Sequence, residues 1–176
     1  MHPVVHFEDA DIVIVEKPYA LPTQRDKHGT DGLFEILKEQ YEYVGLHHRL
    51  DRPASGLVLF TVSKRANMAI GQAMSEHRIA RGYQAVLVGT PRTQVWNQNV
   101  ENKTAQTNLS IVKSKEGMSL VNLQLQTGRK HQIRRHAALN ATPIAGDRRY
   151  GAEAGRWWKR LALHADTIAL RHPVTG

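Results

Sequence analysis

The chain has 176 residues, 41% of them hydrophobic, enough for one compact domain with a continuous core. It carries 24 Lys+Arg against 16 Asp+Glu, a formal charge of +8, and no cysteine; this points to a polyanionic partner and excludes disulfides, thiolate zinc and iron–sulfur sites. No apolar run approaches the ~18 to 20 residues of a membrane span, and the opening MHPVVHFEDADIV lacks the parts of a signal peptide, so a cytoplasmic protein without a membrane partner is expected.

VVHFEDADIVIVEKP predicts two short strands, Val4 to Phe7 and Ile12 to Glu16, joined by an acidic turn and stopped by Pro18. Residues 20 to 31 are rich in turn formers and predict a loop, after which Asp31 caps a helix carrying Leu33, Ile36 and Leu37 on one face. GLVLFTV (56 to 62) predicts a buried strand. Ser63 then caps a helix to about His77, with Ala66, Ala69, Ile70, Ala73 and Met74 as its inner stripe and Met68 and Met74 assigned to the core. YQAVLVG (83 to 89) is another strand, PRTQVWNQNVENKTAQ a loop, and TNLSIV (107 to 112) and SLVNLQLQ (119 to 126) form a hairpin through Lys115-Glu116-Gly117. Thr127-Gly128 ends that strand and opens a helix near 130 to 140, stopped by Pro143. Strands outnumber helices and many neighbours pair antiparallel, so the fold class is α+β.

Basic residues cluster at HHRLDR (47 to 52), HRIAR (77 to 81), GRKHQIRRH (128 to 136), DRR (147 to 149) and RWWKR (156 to 160). Within the first, Asp51 stands between Arg49 and Arg52, where opposite charge favours the ionised form and suits a nucleophile better than a general acid. The plain alternative is a salt bridge that pins a loop. His47 and His48 are adjacent on an extended segment and face opposite ways, so no metal is expected there. Arg129, Lys130, Arg134 and Arg135 surround the start of a short helix whose amides favour an anion. Arg134 and Arg135 are about 100° apart around that helix and cannot both point inward, and an inward one needs a buried acid, for which Asp51 is the candidate. Tyr83 beside the HRIARG cations is either a nucleobase platform or a core residue. Trp157 and Trp158 are a second base platform or a packed corner.

These stretches, in their order, resemble the RluA-type pseudouridine synthases, which isomerise uridine in RNA. VEKP (15 to 18), HRLD (48 to 51) with SG (55 to 56), RGYQAVLVG (81 to 89), TGRKHQIRRH with PIAGD (143 to 147), and LALHA with HP (161 to 173) match the family's motifs across most of the chain. The resemblance implies a mixed, largely antiparallel sheet with flanking helices and a central catalytic cleft. It makes Asp51 the catalytic aspartate, Arg134 its ion-pair partner and Tyr83 a third catalytic residue, whose ring stacks on the target uracil and takes part in proton removal. It gives Leu163 the apolar seat beneath that base and Arg49 the role of propping the stack once the uridine has flipped out, a step a paired stem requires. Arg129, Lys130 and His131 join them as substrate-binding residues. Two positions depart from the family pattern: Ala54 stands where Thr is usual before SG, and Ala20 where Gly is usual.

The resemblance thus implies a single catalytic domain over residues 1 to 176, without an S4-like N-terminal module and shorter at its C-terminus than many relatives. It is expected to be a monomer acting on tRNA or rRNA without cofactor or metal. GRKHQIRRH is closest to the branch that modifies one tRNA site. Two rivals remain open: a non-catalytic RNA-binding module of the same fold, and a hydrolytic nucleoside glycosylase, which needs an acid for the leaving group and for which no convincing second carboxylate stands near the motifs.

Overall fold

The computed structural model describes residues 3–151 and 157–176, and among these it has nine strands and three helices. They form two compact units, Met1–Ala80 with Thr167–Gly176, and Arg81–Asp166. Arg156 of the last basic cluster lies outside the described residues.

In the first unit, β1 (Val4–Glu8) and β2 (Ile12–Lys17) form the expected antiparallel hairpin. Asp9 makes its turn, because one carboxylate oxygen accepts from the amides of Asp11 and Ile12, each at 2.8 Å. β2 then pairs along its whole length with β4 (Ser55–Thr61), from Ile12 opposite Thr61 to Lys17 opposite Gly56, and the two-residue β3 (Gly45–Leu46) also pairs with β4. Ser63 caps α2 (Lys64–Ser75) by accepting from the Ala66 amide at 3.2 Å. Ile12, Leu59, Ala66, Ile70 and Ile79 make the buried cluster, with Ala73, Met74 and Ile168 packed against it. Met68 does not join them: it is 78% exposed, being two residues from Ala66 and hence about 200° round the helix.

The first helix, α1 (Leu33–Lys38), is capped differently from the expectation. Gly32, not Asp31, is the capping residue; its amide donates to the Glu35 carboxylate at 2.9 Å, while Asp31 accepts from Arg25 at 2.6 Å. Glycine is needed there, since a Cβ would meet the Gln24 backbone at 2.7 Å. Leu33 and Leu37 are buried; Ile36 is only partly so.

In the second unit the strand order is β5 (Ala80–Val88), β8 (Met118–Leu125), β7 (Thr107–Lys115), β6 (Val95–Trp96), and β9 (Leu163–Ala169) lies on the other side of β5. β5, β8, β7 and β6 pair antiparallel. Glu116 and Gly117, with φ of 53° and 74°, close the β7–β8 hairpin as a primed two-residue turn. Val121 and Leu123 are buried while Asn122 and Gln124 are exposed, the alternation read from the sequence. β6 corrects the reading of 91 to 106 as loop throughout: Val95 and Trp96 pair with Asn108 and Thr107, and the Trp96 ring is fully buried. α3 (Gln132–Leu139) is shorter than expected and starts from His131, whose φ of 56° is left-handed. The result is the mixed, antiparallel-dominated α+β architecture, and among the described residues no helix is long and apolar enough to cross a membrane.

Candidate active site

The Asp51 loop runs from His47 to Ala54, between β3 and β4, and three features of the first unit hold it. Leu50 is gripped at both backbone groups by Thr23, whose hydroxyl donates to the Leu50 carbonyl at 3.0 Å and accepts from its amide at 3.1 Å. Arg52 donates from Nε to the Ala20 carbonyl at 3.0 Å and from Nη1 to Asp26 at 2.9 Å, and its own carbonyl accepts the Ala20 amide at 3.1 Å. Lys17, fully buried, donates from Nζ to the carbonyls of Pro18, Leu21 and Arg52 at 2.9, 2.7 and 3.4 Å. Burial pushes the Lys17 ammonium down to about 8, against the raising influence of the Asp51 charge.

Asp51 itself is half-buried, and its carbonyl accepts the Ala54 amide at 3.0 Å, a turn that the substitution of Ala for the usual Thr leaves intact. Arg49 beside it is exposed. The two histidines brace β4: His48 Nε2 accepts from the Leu59 amide at 3.0 Å, and His47 Nε2 meets Thr61 Oγ1 at 3.1 Å. Elsewhere in this unit, Asp9, Asp11 and His172 form the one metal-like cluster among the described residues, yet Asp11 is engaged by Arg65 at 2.6 and 2.7 Å and by Ser63 at 2.6 Å, and Asp9 pairs with His172 at 2.9 Å. Those carboxylates are committed to protein cations.

In the second unit, Tyr83 lies on β5 opposite Leu123 and is 6% exposed, and Leu163, at the start of β9, is equally buried. α3 splits its arginines as the helical angle demands: Arg134 is buried and Arg135 turns outward to Glu101 at 2.8 Å. A buried acid does meet Arg134 within this unit. Asp147 accepts Arg134 Nε and Nη2, each at 2.8 Å, together with the amides of Arg149 and Tyr150 at 3.0 and 3.1 Å. Burial raises the Asp147 carboxyl, but the Arg134 guanidinium and these two amides outweigh it and hold it below the usual carboxylate range. The Tyr150 ring has the guanidinium carbons of Arg134, Arg135 and Arg149 at 5.1, 5.7 and 5.5 Å, and its hydroxyl shares a hydrogen bond of 2.8 Å with His131 Nδ1.

The segment before α3 is ordered by Gln132, whose side-chain carbonyl accepts from Thr127 and the Arg129 amide at 2.7 and 3.0 Å, while its amide donates to the Gln106 carbonyl and Thr107, each at 3.0 Å. Arg129 is exposed and donates to the Thr104 carbonyl at 3.1 Å; Lys130 is exposed as well. The rings of Trp157 and Trp158 lie 5.5 Å apart at 52°, with Trp157 70% exposed. Lys17, Thr23 and Asp147 are residues the sequence reading did not single out. A lysine closing an apolar strand just before a proline, as in IVIVEKP, was the available signal for the first.

Comparison with known proteins bears on the whole arrangement. The family model described as RNA pseudouridylate synthase matches residues 11–139. Among curated relatives, the "Uncharacterized RNA pseudouridine synthase YhcT" of Bacillus subtilis is 32% identical across 96% of the chain and 64% of that relative. The "Ribosomal large subunit pseudouridine synthase D" of Haemophilus influenzae is 30% identical across 97% of the chain and 63% of its own length. The chain therefore spans just under two thirds of either protein. The "Dual-specificity RNA pseudouridine synthase RluA" of Pasteurella multocida is 31% identical across 98% of the chain and 88% of the relative. Among solved structures, "Human RNA Pseudouridylate Synthase Domain Containing 1" shares the fold with a TM-score of 0.82 at 22% identity, covering 97% of this chain and 79% of that one. With the family model spanning both units and the motifs standing in order on this fold, the chain belongs to the RluA-type family of RNA pseudouridine synthases.

Proposed function

We propose that the chain isomerises uridine to pseudouridine in structured RNA, with Asp51 as the reacting carboxylate. The bond from uracil nitrogen 1 to ribose carbon 1′ breaks, the base turns while held, and carbon 5 bonds to carbon 1′ as its proton leaves and nitrogen 1 gains one. Nothing is oxidised or reduced, so the reaction calls for no cofactor. Arg134 is the counter-charge of Asp51, Tyr83 stacks on the uracil, Leu163 seats it, and Arg49 fills the gap in the RNA stack. Arg129, Lys130 and His131 contact the RNA backbone. The observation that carries this reading is that the one carboxylate in the HRLD motif sits on a loop tied down at three backbone points, as a group that must attack at a set angle requires.

The substrate is tRNA or rRNA, the protein a cytoplasmic monomer built as one catalytic domain. Among the relatives, one is named a ribosomal large-subunit enzyme and another an RNA enzyme of dual specificity. Two experiments test this. RNA carrying tritium at uracil carbon 5 releases it to wild type and not to Asp51→Asn; binding without release from any RNA favours the non-catalytic module, and free uracil favours the glycosylase. Mapping pseudouridine in cells lacking the gene then names the RNA.

A further inference from the structure

Between β6 and β7 the chain reverses in a tight turn that contains no glycine. Val100 and Lys103 pair antiparallel, amide to carbonyl in both directions at 2.9 and 3.1 Å, and the two residues between them, Glu101 and Asn102, have φ of 54° and 58°. At Glu116-Gly117, the other primed turn, glycine takes the second left-handed position. Left-handed backbone is disfavoured for glutamate and tolerated by asparagine, so this tip needs holding from outside. α3 and the segment leading into it supply the hold. Arg135 donates to the Glu101 carboxylate at 2.8 Å, the Gln98 and Asn140 side-chain amides bond each other twice at 3.2 and 3.1 Å, and His136 Nε2 meets the Gln98 carbonyl at 2.8 Å. Arg129 Nε donates to the Thr104 carbonyl at 3.1 Å, and Val100 beneath the tip is buried.

The tip shows solvent a definite chemistry. Asn97, Asn99 and Asn102 are exposed, and none of their side-chain amides has a partner among the described residues. Lys103 is exposed and unpaired among those residues, and Arg129 uses only Nε, which leaves both of its terminal nitrogens to donate. The one acid in the tip, Glu101, is taken by Arg135. Amides that both donate and accept, flanked by cations, match the wide, shallow minor groove of an A-form RNA helix, which displays 2′-hydroxyls and base edges beside its phosphates. A protein partner is gripped through apolar anchors, and residues 97 to 104 expose none.

We infer that the 97–104 tip enters the minor groove of a paired stem in the substrate RNA, with Asn99 and Asn102 on ribose 2′-hydroxyls and base edges and Lys103 and Arg129 on the bordering phosphates. The tip thereby makes a paired RNA stem part of what the enzyme selects. The inference rests on reading the chain as an isomerase of structured RNA and names the element that recognises its substrate. Because the contact is made equally before and during reaction, its loss raises KM and leaves kcat nearly alone.

The test uses the full chain and two RNA probes. Total tRNA and rRNA from cells lacking the gene, tritiated at uracil carbon 5, report turnover; a hairpin RNA and the same hairpin with a deoxyribose stem report binding. Asn102→Gly removes one amide and gives the left-handed position its easiest residue, so its melting temperature equals or exceeds that of wild type. Asn99→Ala removes the other amide. Each raises the apparent KM about five-fold with kcat within about two-fold. Wild type binds the all-ribose hairpin about ten-fold more tightly than its deoxyribose counterpart, and the double variant loses most of that preference. Lys103→Gln lowers the slope of affinity against salt by about one contact. Wild-type KM in both asparagine variants, or equal binding of the two hairpins by wild type, overturns the inference. Failure of wild type to release tritium defeats the isomerase reading instead, and the comparison of hairpins separates that failure from this one.

Discussion

Arg134 and Asp147 form a bidentate ion pair inside the second unit, two bonds of 2.8 Å between side chains only 6% and 1% exposed. A pair this dry stabilises little over two apolar residues, but removing one partner strands the other charge. Asp147→Ala is expected to cost about 3 to 5 kcal/mol in urea unfolding at neutral pH, and Asp147→Asn less. The acid dependence has a definite sign. The folded carboxyl lies below its unfolded value of 3.8, so its contribution is present above that pH and is lost as pH falls through the lower folded value. Wild type should lose stability more steeply than Asp147→Ala below about pH 4.

Lys17 behaves oppositely. Its folded value of about 8 lies below the ordinary 10.5, so between the two the unfolded chain holds more protons and stability rises with pH. Below the folded value the full cost of burying the ammonium is present, roughly 3 kcal/mol; above the unfolded value it is gone. The difference in unfolding free energy between Lys17→Met and wild type should shrink by that order from pH 7 to about 10.5, measured by urea titration at each pH.

Ala20 has a φ of 68°, a left-handed conformation that costs an L-residue about 1 kcal/mol or more and costs glycine nothing steric. Its amide and carbonyl are both bound by Arg52, which holds it there. Ala20→Gly should therefore raise stability by about 0.5 to 1 kcal/mol despite adding freedom to the unfolded chain, and a thermal melt reads it directly.

Arg52→Ala removes the bridge to the Ala20 carbonyl and to Asp26. The ion pair is half in solvent, with Arg52 53% exposed, so global stability should change by less than about 1 kcal/mol. The local effect is larger: exchange of the Ala20 amide proton, which donates to Arg52, should quicken relative to amides in β2.

Arg148 and Arg149 are exposed, and Arg149 lies against Tyr150. If this basic face meets phosphate, reversing both to Glu weakens RNA binding and lowers the slope of affinity against salt by about two contacts, with kcat at saturation unchanged. A merely solvated face predicts no change in either, and filter binding at several salt concentrations tells them apart.

Local signals made much of the fold legible. The alternation through Val121 and Leu123, the turn at Glu116-Gly117 and the cap at Ser63 each act within a few residues, and all three form as read. Where distant groups decide, the sequence was silent. Gly32 displaces Asp31 as a cap because the Gln24 backbone leaves no room for a Cβ. β6 exists through pairing with Thr107 and Asn108, not through any period in Val95-Trp96. Arg52, without a role in the sequence, proves to tie the segment from Ala20 to Asp26 onto the loop of Asp51, and Asp147, 13 residues beyond Arg134, could not be matched to it by spacing.

The Gln132 side chain spends both faces of its amide on four partners drawn from two separate stretches, 106–107 and 127–129. Such an amide favours one orientation, because flipping it would set donor against donor at the Arg129 amide and acceptor against acceptor at the Gln106 carbonyl. A short helix has little of its own to stop it rolling about its axis; Gln132 is the key in that slot. The direction in which Arg134, two residues further on, leaves α3 is thus set in part by a neutral side chain whose hydrogen bonds go to 106–107 and 127–129.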